Sequence, residues 1–272
     1  MVIKSTTDAG LQVLRDIAEP LRKLGDAYSV PLVAKQVGGN PRLFGTGWFF
    51  RCEQEWFLVT AEHVLRDLAP PRSPRGTPHD SDLLVPGVGG VLVPLSGKWS
   101  ASPKYDVAIL RLTDPNPIRE NWTPVTVADL APQQDLKEAW FHVTGWPLQL
   151  CARTTGGLEA DKFRFTAKFD AGTEPYNPET ELLFPLERND FGTFDGQPTS
   201  APALQGISGA PVWQIFMDGN RHYQPRLAGV ETSYLERDMT WYIRATRWAA
   251  VRMVIEHAVP GLIKSAERLV GL

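Results

Sequence analysis

At roughly 150 residues per domain, the 272 residues allow one large domain or two small ones, and 43% hydrophobic with 22% charged residues excludes a disordered or coiled-coil chain. The 28 basic and 31 acidic residues leave a net charge of −3, so no basic face calls for nucleic acid. No run reaches the ~18 unbroken apolar residues of a spanning helix, and no apolar segment follows Lys4, so a membrane partner is not expected.

From Asp8 to about Leu24, apolar residues recur three and four apart (Leu11, Leu14, Ile17, Leu21, Leu24), which predicts a helix kinked or broken at Pro20. Short β-type runs follow at 30–35, 45–52, 56–60, 82–86, 90–95, 107–112 and 140–144. A helix-like turn at 63–68 leads into an exposed proline-rich loop holding Pro70, Pro71, Pro74 and Pro78. A second set of strands is expected at 163–169, 181–186, 211–216, 226–231 and 240–244, with polar stretches at 171–180 and 189–202. Val251, Val254, Ile255 and Ala258 share one helical face that stops before Pro260-Gly261, and residues 262–272 form one more short helix. Many short strands with 23 Gly and 23 Pro predict an all-β sandwich or barrel arrangement.

Three segments place a reactive side chain beside a β-type run: Val59-Thr60-Ala61-Glu62-His63-Val64, Tyr105-Asp106-Val107-Ala108-Ile109-Leu110 and Gly206-Ile207-Ser208-Gly209-Ala210-Pro211. A serine hydroxyl is a weak nucleophile at neutral pH; it needs an imidazole to take its proton and a carboxylate to fix that imidazole's tautomer. A glycine two residues before the serine lets the backbone turn so that the N–H groups of Gly206 and Ser208 converge, as an oxyanion hole requires. His79, His142, His222 and His257 show no metal-ligand spacing and are expected to be structural. No metal or cofactor is expected, and Gly87-Val88-Gly89-Gly90 lacks the lysine and helix of a phosphate loop. Cys52 and Cys151 are too few for a disulfide framework, which fits a reducing compartment.

In the chain order His, Asp, Ser, these segments resemble the chymotrypsin/trypsin-like serine protease family, most closely its intracellular bacterial branch. Gly45-Thr46-Gly47-Trp48 is similar to the family's GTGF-type strand before the histidine, and Phe141-His142-Val143-Thr144-Gly145-Trp146-Pro147 to the strand that opens the second barrel. Ala228-Gly229-Val230-Glu231-Thr232 resembles the substrate-flanking strand, and Trp241-Tyr242-Ile243-Arg244 the last strand before a C-terminal helix. The resemblance implies two antiparallel six-stranded barrels with the site between them. On this reading residues 1–27 form a helical extension, 28–135 the first barrel, 136–246 the second and 247–272 the C-terminal helices. It makes Ser208 the nucleophile, His63 the general base and then acid, Asp106 its orienting partner, and the N–H groups of Gly206 and Ser208 the oxyanion donors.

Several positions depart from the family. Ile207 stands where secreted members carry the aspartate that pairs with a new N-terminus after zymogen cleavage, and Val64 stands where a disulfide cysteine would face Cys52. The first makes activation by that route implausible, and the second favours the cytoplasm. Ala210 replaces a glycine at a tight turn, a change expected to be tolerated. Glu62 replaces the usual alanine, its side chain turned either to solvent or towards the imidazole. The resemblance assigns substrate contacts to Pro202, at the base of the primary pocket, and to Gln205, Glu231, Thr232 and Ser233. Pro202 removes the trypsin-type aspartate; Glu231 either attracts a basic side chain, is solvated, or pairs with an arginine such as Arg244. Thr232 and Ser233 are expected to hydrogen-bond an extended peptide by strand addition.

The function implied is that of a serine endopeptidase cutting polypeptides through an acyl-enzyme, regulated in bacterial stress or defence, with a partner protein or residues 1–27 restraining the cleft. Removal of residues 1–27 without change in activity would count against that restraint. The alternatives are a catalytically silent module that binds a peptide or partner, and a small-ester hydrolase, against which the absence of a GxSxG pattern around Ser208 speaks.

Overall fold

The computed structural model describes residues 8–35, 41–68, 83–131, 136, 139–154, 157–170, 175–187, 191–192, 198–217, 223–237 and 240–270. The proline-rich loop around Pro70–Pro78, His79 and His222 lie outside them.

Helix α1 (Asp8–Tyr28) runs through Pro20 as one element, so of the expected kink or break the break does not occur. Proline inside a helix costs about 3 kcal/mol. Against that stands tertiary packing: Ile17, Leu21 and Leu24 cluster with Ile215 and Tyr223, and the Tyr28 ring sits 5.0 Å from that of Trp213. Asp26 then receives charge-assisted hydrogen bonds from Lys162 at 2.9 Å and Arg164 at 2.6 Å, fixing the end of the helix to the second sheet.

Seven strands make the first sheet: β1 (Val30–Lys35), β2 (Pro41–Cys52), β3 (Glu55–Thr60), β4 (Leu83–Pro86), β5 (Leu92–Pro94), β6 (Gly97–Ser102) and β7 (Val107–Leu112), in the order β5-β4-β1-β2-β3-β7-β6. Helix α2 (Glu62–Leu68) leaves directly from the end of β3, and a single turn α3 (Asn116–Arg119) follows β7. Further along the chain come β8 (Trp140–Gly145), the small hairpin β9 (Cys151–Thr154) and β10 (Gly157–Ala160), β11 (Phe163–Lys168), β12 (Glu181–Glu187) and the two-residue pair β13 (Phe191–Gly192) and β14 (Pro198–Thr199). The last three strands are β15 (Pro211–Met217), β16 (Tyr223–Arg237) and β17 (Thr240–Arg247). The second sheet has six strands ordered β11-β8-β15-β16-β17-β12, and helices α4 (Trp248–Ala258) and α5 (Leu262–Val270) close the chain. Both sheets are antiparallel and curl into half-barrels. The expected two-barrel architecture is therefore present, with seven strands rather than six in the first sheet.

Each sheet has its own apolar filling. Leu32, Phe49, Leu58, Val85 and Leu110 fill the first, and Phe141, Phe165, Phe184, Ile207 and Ile243 the second, where the Phe141 and Phe184 rings stack 5.5 Å apart. A third cluster joins them: Trp48, Phe50 and Ile109 from the first sheet meet Trp213, Leu227 and Val230 from the second, sealed by Val251 and Ile255 of α4 and Ile263 of α5. At about 1.5–3 kcal/mol per fully buried large apolar side chain, this shared cluster fixes the two sheets against each other.

Candidate active site

The site is built where the two sheets meet. Thr60 ends β3 and α2 begins at Glu62, so His63 stands in the first turn of the helix. Its Nδ1 lies 2.8 Å from Asp106 Oδ2, while its backbone N–H donates to Asp106 Oδ1 at 2.9 Å. Both carboxylate oxygens are thus used on one residue. Asp106 reaches this position from a left-handed backbone, φ 49°, immediately before β7, a region that aspartate tolerates better than most side chains. Thr246 of β17 donates its hydroxyl to the Tyr105 carbonyl at 2.6 Å and ties the segment to the second sheet. The Asp106 hydrogen bond holds the imidazole above its ordinary value, with burial opposing it. The Glu62 side chain, 14% exposed, is engaged by Arg66, which donates to it at 2.9 Å from one helical turn on.

The serine turn comes from the other sheet. Gly206 and Gly209 have φ values of 98° and 93°, which a side chain would strain. A Cβ on Gly206 would lie 2.6 Å from the Trp146 carbonyl oxygen, and one on Gly209 would run into the Thr46 carbonyl and the Thr60 hydroxyl. The carbonyls of this turn are all spoken for. Gln205 O accepts from Leu148 N at 2.7 Å, Ile207 O from Ala210 N at 2.9 Å, Gly206 O from Thr46 Oγ1 at 2.8 Å and Ser208 O from Thr46 N at 2.9 Å. Because a trans peptide points its N–H opposite its carbonyl, anchoring Gln205 O and Ile207 O turns the N–H groups of Gly206 and Ser208 the other way. Among the described residues neither N–H meets an acceptor, as an oxyanion hole requires.

Ile207 is buried in the second core, its Cβ pressed on the backbone of Gly145. An apolar anchor thus holds the turn. Ala210 is fully buried there too.

The two halves converge on β2. A Cβ on Gly45 would meet Val64, next to His63, on one side and the Ser208 carbonyl on the other. The meeting is not complete at the hydroxyl. Ser208 Oγ donates a long bond of 3.4 Å to the Thr232 carbonyl, and it makes none to His63.

The predicted substrate residues divide. β15 pairs with β16 only as far as Val230, while β16 continues to Arg237 on β17, so beyond the irregularity at 231–233 one edge of β16 has no strand partner among the described residues. Thr232 and Ser233 start this edge and, with Lys104, Asp106, Glu181 and Arg244, border an open polar depression. Pro202 is partly buried and Gln205 exposed on the run into the serine turn. Glu231 is neither solvated nor paired with Arg244. It is 0% exposed, and neither carboxyl oxygen has a hydrogen-bond partner, whereas Arg244 turns to Glu181 at 3.7 Å and donates to the Pro175 carbonyl at 3.1 Å.

Outside the site, His142 is sealed between the Thr166 and Thr144 hydroxyls, each 3.0 Å away, and burial pushes it down to about 3. It is a neutral packing residue. Burial raises the Cys52 thiol to about 11, which leaves it protonated and inert. Sequence reasoning missed the work of Thr46 and Thr246. The only local signal for Thr46 was a polar residue between two glycines in an otherwise apolar strand.

The fold is a two-barrel, chymotrypsin-like architecture. The structure is similar to one solved as "Structure of GrC", that is granzyme C, a trypsin-like serine protease: 16% identity, 85% of this chain and 93% of that chain covered, TM-score 0.51. The likeness is one of fold. No family model matches the sequence, and no curated protein does.

Proposed function

We propose that the protein is a serine endopeptidase. The carrying observation is the His63–Asp106 pair, in which one carboxylate fixes both the ring and the backbone of the histidine at 2.8 and 2.9 Å. With Nδ1–H donated to Asp106, Nε2 is the free acceptor. Ser208 Oγ attacks the scissile carbonyl carbon as its proton passes to His63 Nε2, and the carbonyl oxygen takes the negative charge against the N–H groups of Gly206 and Ser208. The C–N bond then breaks and His63 returns the proton to the leaving amine. Water, deprotonated by the same imidazole, hydrolyses the acyl-enzyme and restores Ser208. The free edge of β16 at Thr232 and Ser233 supports an extended polypeptide as the substrate.

The described side chains of α1, from Ile17 onwards, pack on the second sheet, and a restraint on the cleft by residues 1–27 or by a partner protein is tested by removing residues 1–27 and measuring activity. One observation favours a second reading, a silent peptide-binding module: Ser208 Oγ is turned to Thr232 rather than to His63. Catalytic hydrogen bonds of unliganded enzymes are commonly long and tighten only with substrate, which keeps the protease reading first. A serine-reactive fluorophosphonate decides between them. Covalent labelling of the parent near pH 7.5 that disappears in Ser208→Ala supports the endopeptidase, and an unlabelled, folded parent supports the binding module.

A further inference from the structure

Glu231 is a fully buried titratable group at the site that the proposed mechanism leaves unused. It occupies the bulge of β16, where its carbonyl accepts from Gly209 N and its N–H donates to Ala210 O, both at 2.8 Å, so its backbone is clamped to the residues just after the nucleophile. Both carboxyl oxygens are shut off from water without completing a hydrogen bond of normal geometry. A charge in that position would carry an uncompensated desolvation cost.

The charged groups facing it are few. From the first sheet comes Asp106, already bonded to His63; from the second, Arg244 is engaged by Glu181 and the Pro175 carbonyl and does not reach it. Burial first, and the like charge of Asp106 second, raise Glu231 to about 8, while the nearby Ser208 hydroxyl alone favours its ionised form. Burial thus favours the neutral form of Glu231, and its backbone bonds to Gly209 and Ala210 hold this unpartnered carboxyl beside the turn that carries the nucleophile.

We propose that Glu231 is a positioning residue for Ser208: its neutral carboxyl donates to Ser208 Oγ and leaves the serine proton for His63, whereas its carboxylate accepts that proton's hydrogen bond and turns the hydroxyl away from His63. This rests on the reading of Ser208 as nucleophile and adds a proton-controlled setting of its rotamer. Activity then needs His63 neutral and Glu231 neutral together. The rate rises as the imidazole loses its proton, above its ordinary range because of Asp106, and falls again as Glu231 ionises near 8.

The test is the pH profile of fluorophosphonate labelling for the parent and for Glu231→Gln, whose amide can donate to Ser208 Oγ and cannot ionise. The parent should lose about tenfold in rate per pH unit on the alkaline side, and Glu231→Gln should keep the acid limb and lose the alkaline one. An alkaline limb that survives in Glu231→Gln, or a parent profile flat to pH 10, overturns the proposal. So does a change in side-chain preference of peptide cleavage without a change of profile, which would make Glu231 a substrate-pocket residue. A parent that labels at no pH overturns the nucleophile reading itself and this inference with it. Infrared difference spectra of the parent give a second readout independent of the variant's folding: a protonated-carboxyl band that persists to about pH 8 and shifts in Ser208→Ala. A band insensitive to Ser208→Ala counts against the contact.

Discussion

The two halves of the site are held by different forces. The His63–Asp106 half is polar and locally closed: one carboxylate, two hydrogen bonds, and a left-handed aspartate that costs strain to aim it. The Ser208 half is packed. Ile207 is sunk in the second core, two glycines take backbone angles that a side chain would strain, and the carbonyls of Gly206 and Ser208 are collected by Thr46, a residue of the other sheet. The difference teaches where precision comes from. The base is set by its nearest partner, and the nucleophile by the docking of two sheets.

That contrast can be broken from either side. The largest effect is expected from Asp106→Asn. It leaves the shape of the His63 half but offers Nδ1 an amide that can impose the wrong tautomer, and the rate of labelling or peptide cleavage should fall by roughly 10³–10⁴-fold, with little change in melting temperature. A smaller loss of activity, joined to a loss of stability, is expected from Thr46→Val. The isosteric change removes the hydroxyl that donates to Gly206 O and accepts from Trp146 N at 3.0 Å, leaving two buried groups unsatisfied. Denaturant titration should show a loss of about 2–6 kcal/mol at roughly 1–3 kcal/mol per orphaned group, and labelling should slow as the Gly206 peptide loosens. Equal stability losses in the two variants would sink the distinction.

Legibility in the sequence followed the range of the interactions concerned. β1 and β7 were readable residue for residue, because compact apolar runs bounded by turn formers carry their own signal. β6 was not: Gly97-Lys98-Trp99-Ser100-Ala101-Ser102 has no β-branched residue and is a strand only because β7 offers it an edge. β16 was expected over six residues and runs for 15, since its polar second half is held by β17 and not by a core of its own. At the site, the three reactive residues and the glycines were visible as motifs. The roles of Thr46, Thr246 and Glu231 were not. Thr46 meets Gly206 across 160 positions and Thr246 meets Tyr105 across 141, and the isolation of Glu231 exists only once both sheets have closed around it.

The central claim is that His63, Ser208 and the two turn N–H groups act on one reacting centre. The most direct measurement is a crystal structure of the protein after reaction with a fluorophosphonate. The account predicts phosphorus bonded to Ser208 Oγ, a phosphoryl oxygen within hydrogen-bond distance of the N–H groups of both Gly206 and Ser208, and His63 Nε2 turned to the adduct with Nδ1 still on Asp106. An adduct whose oxygen points to solvent, with the imidazole facing elsewhere, would contradict it.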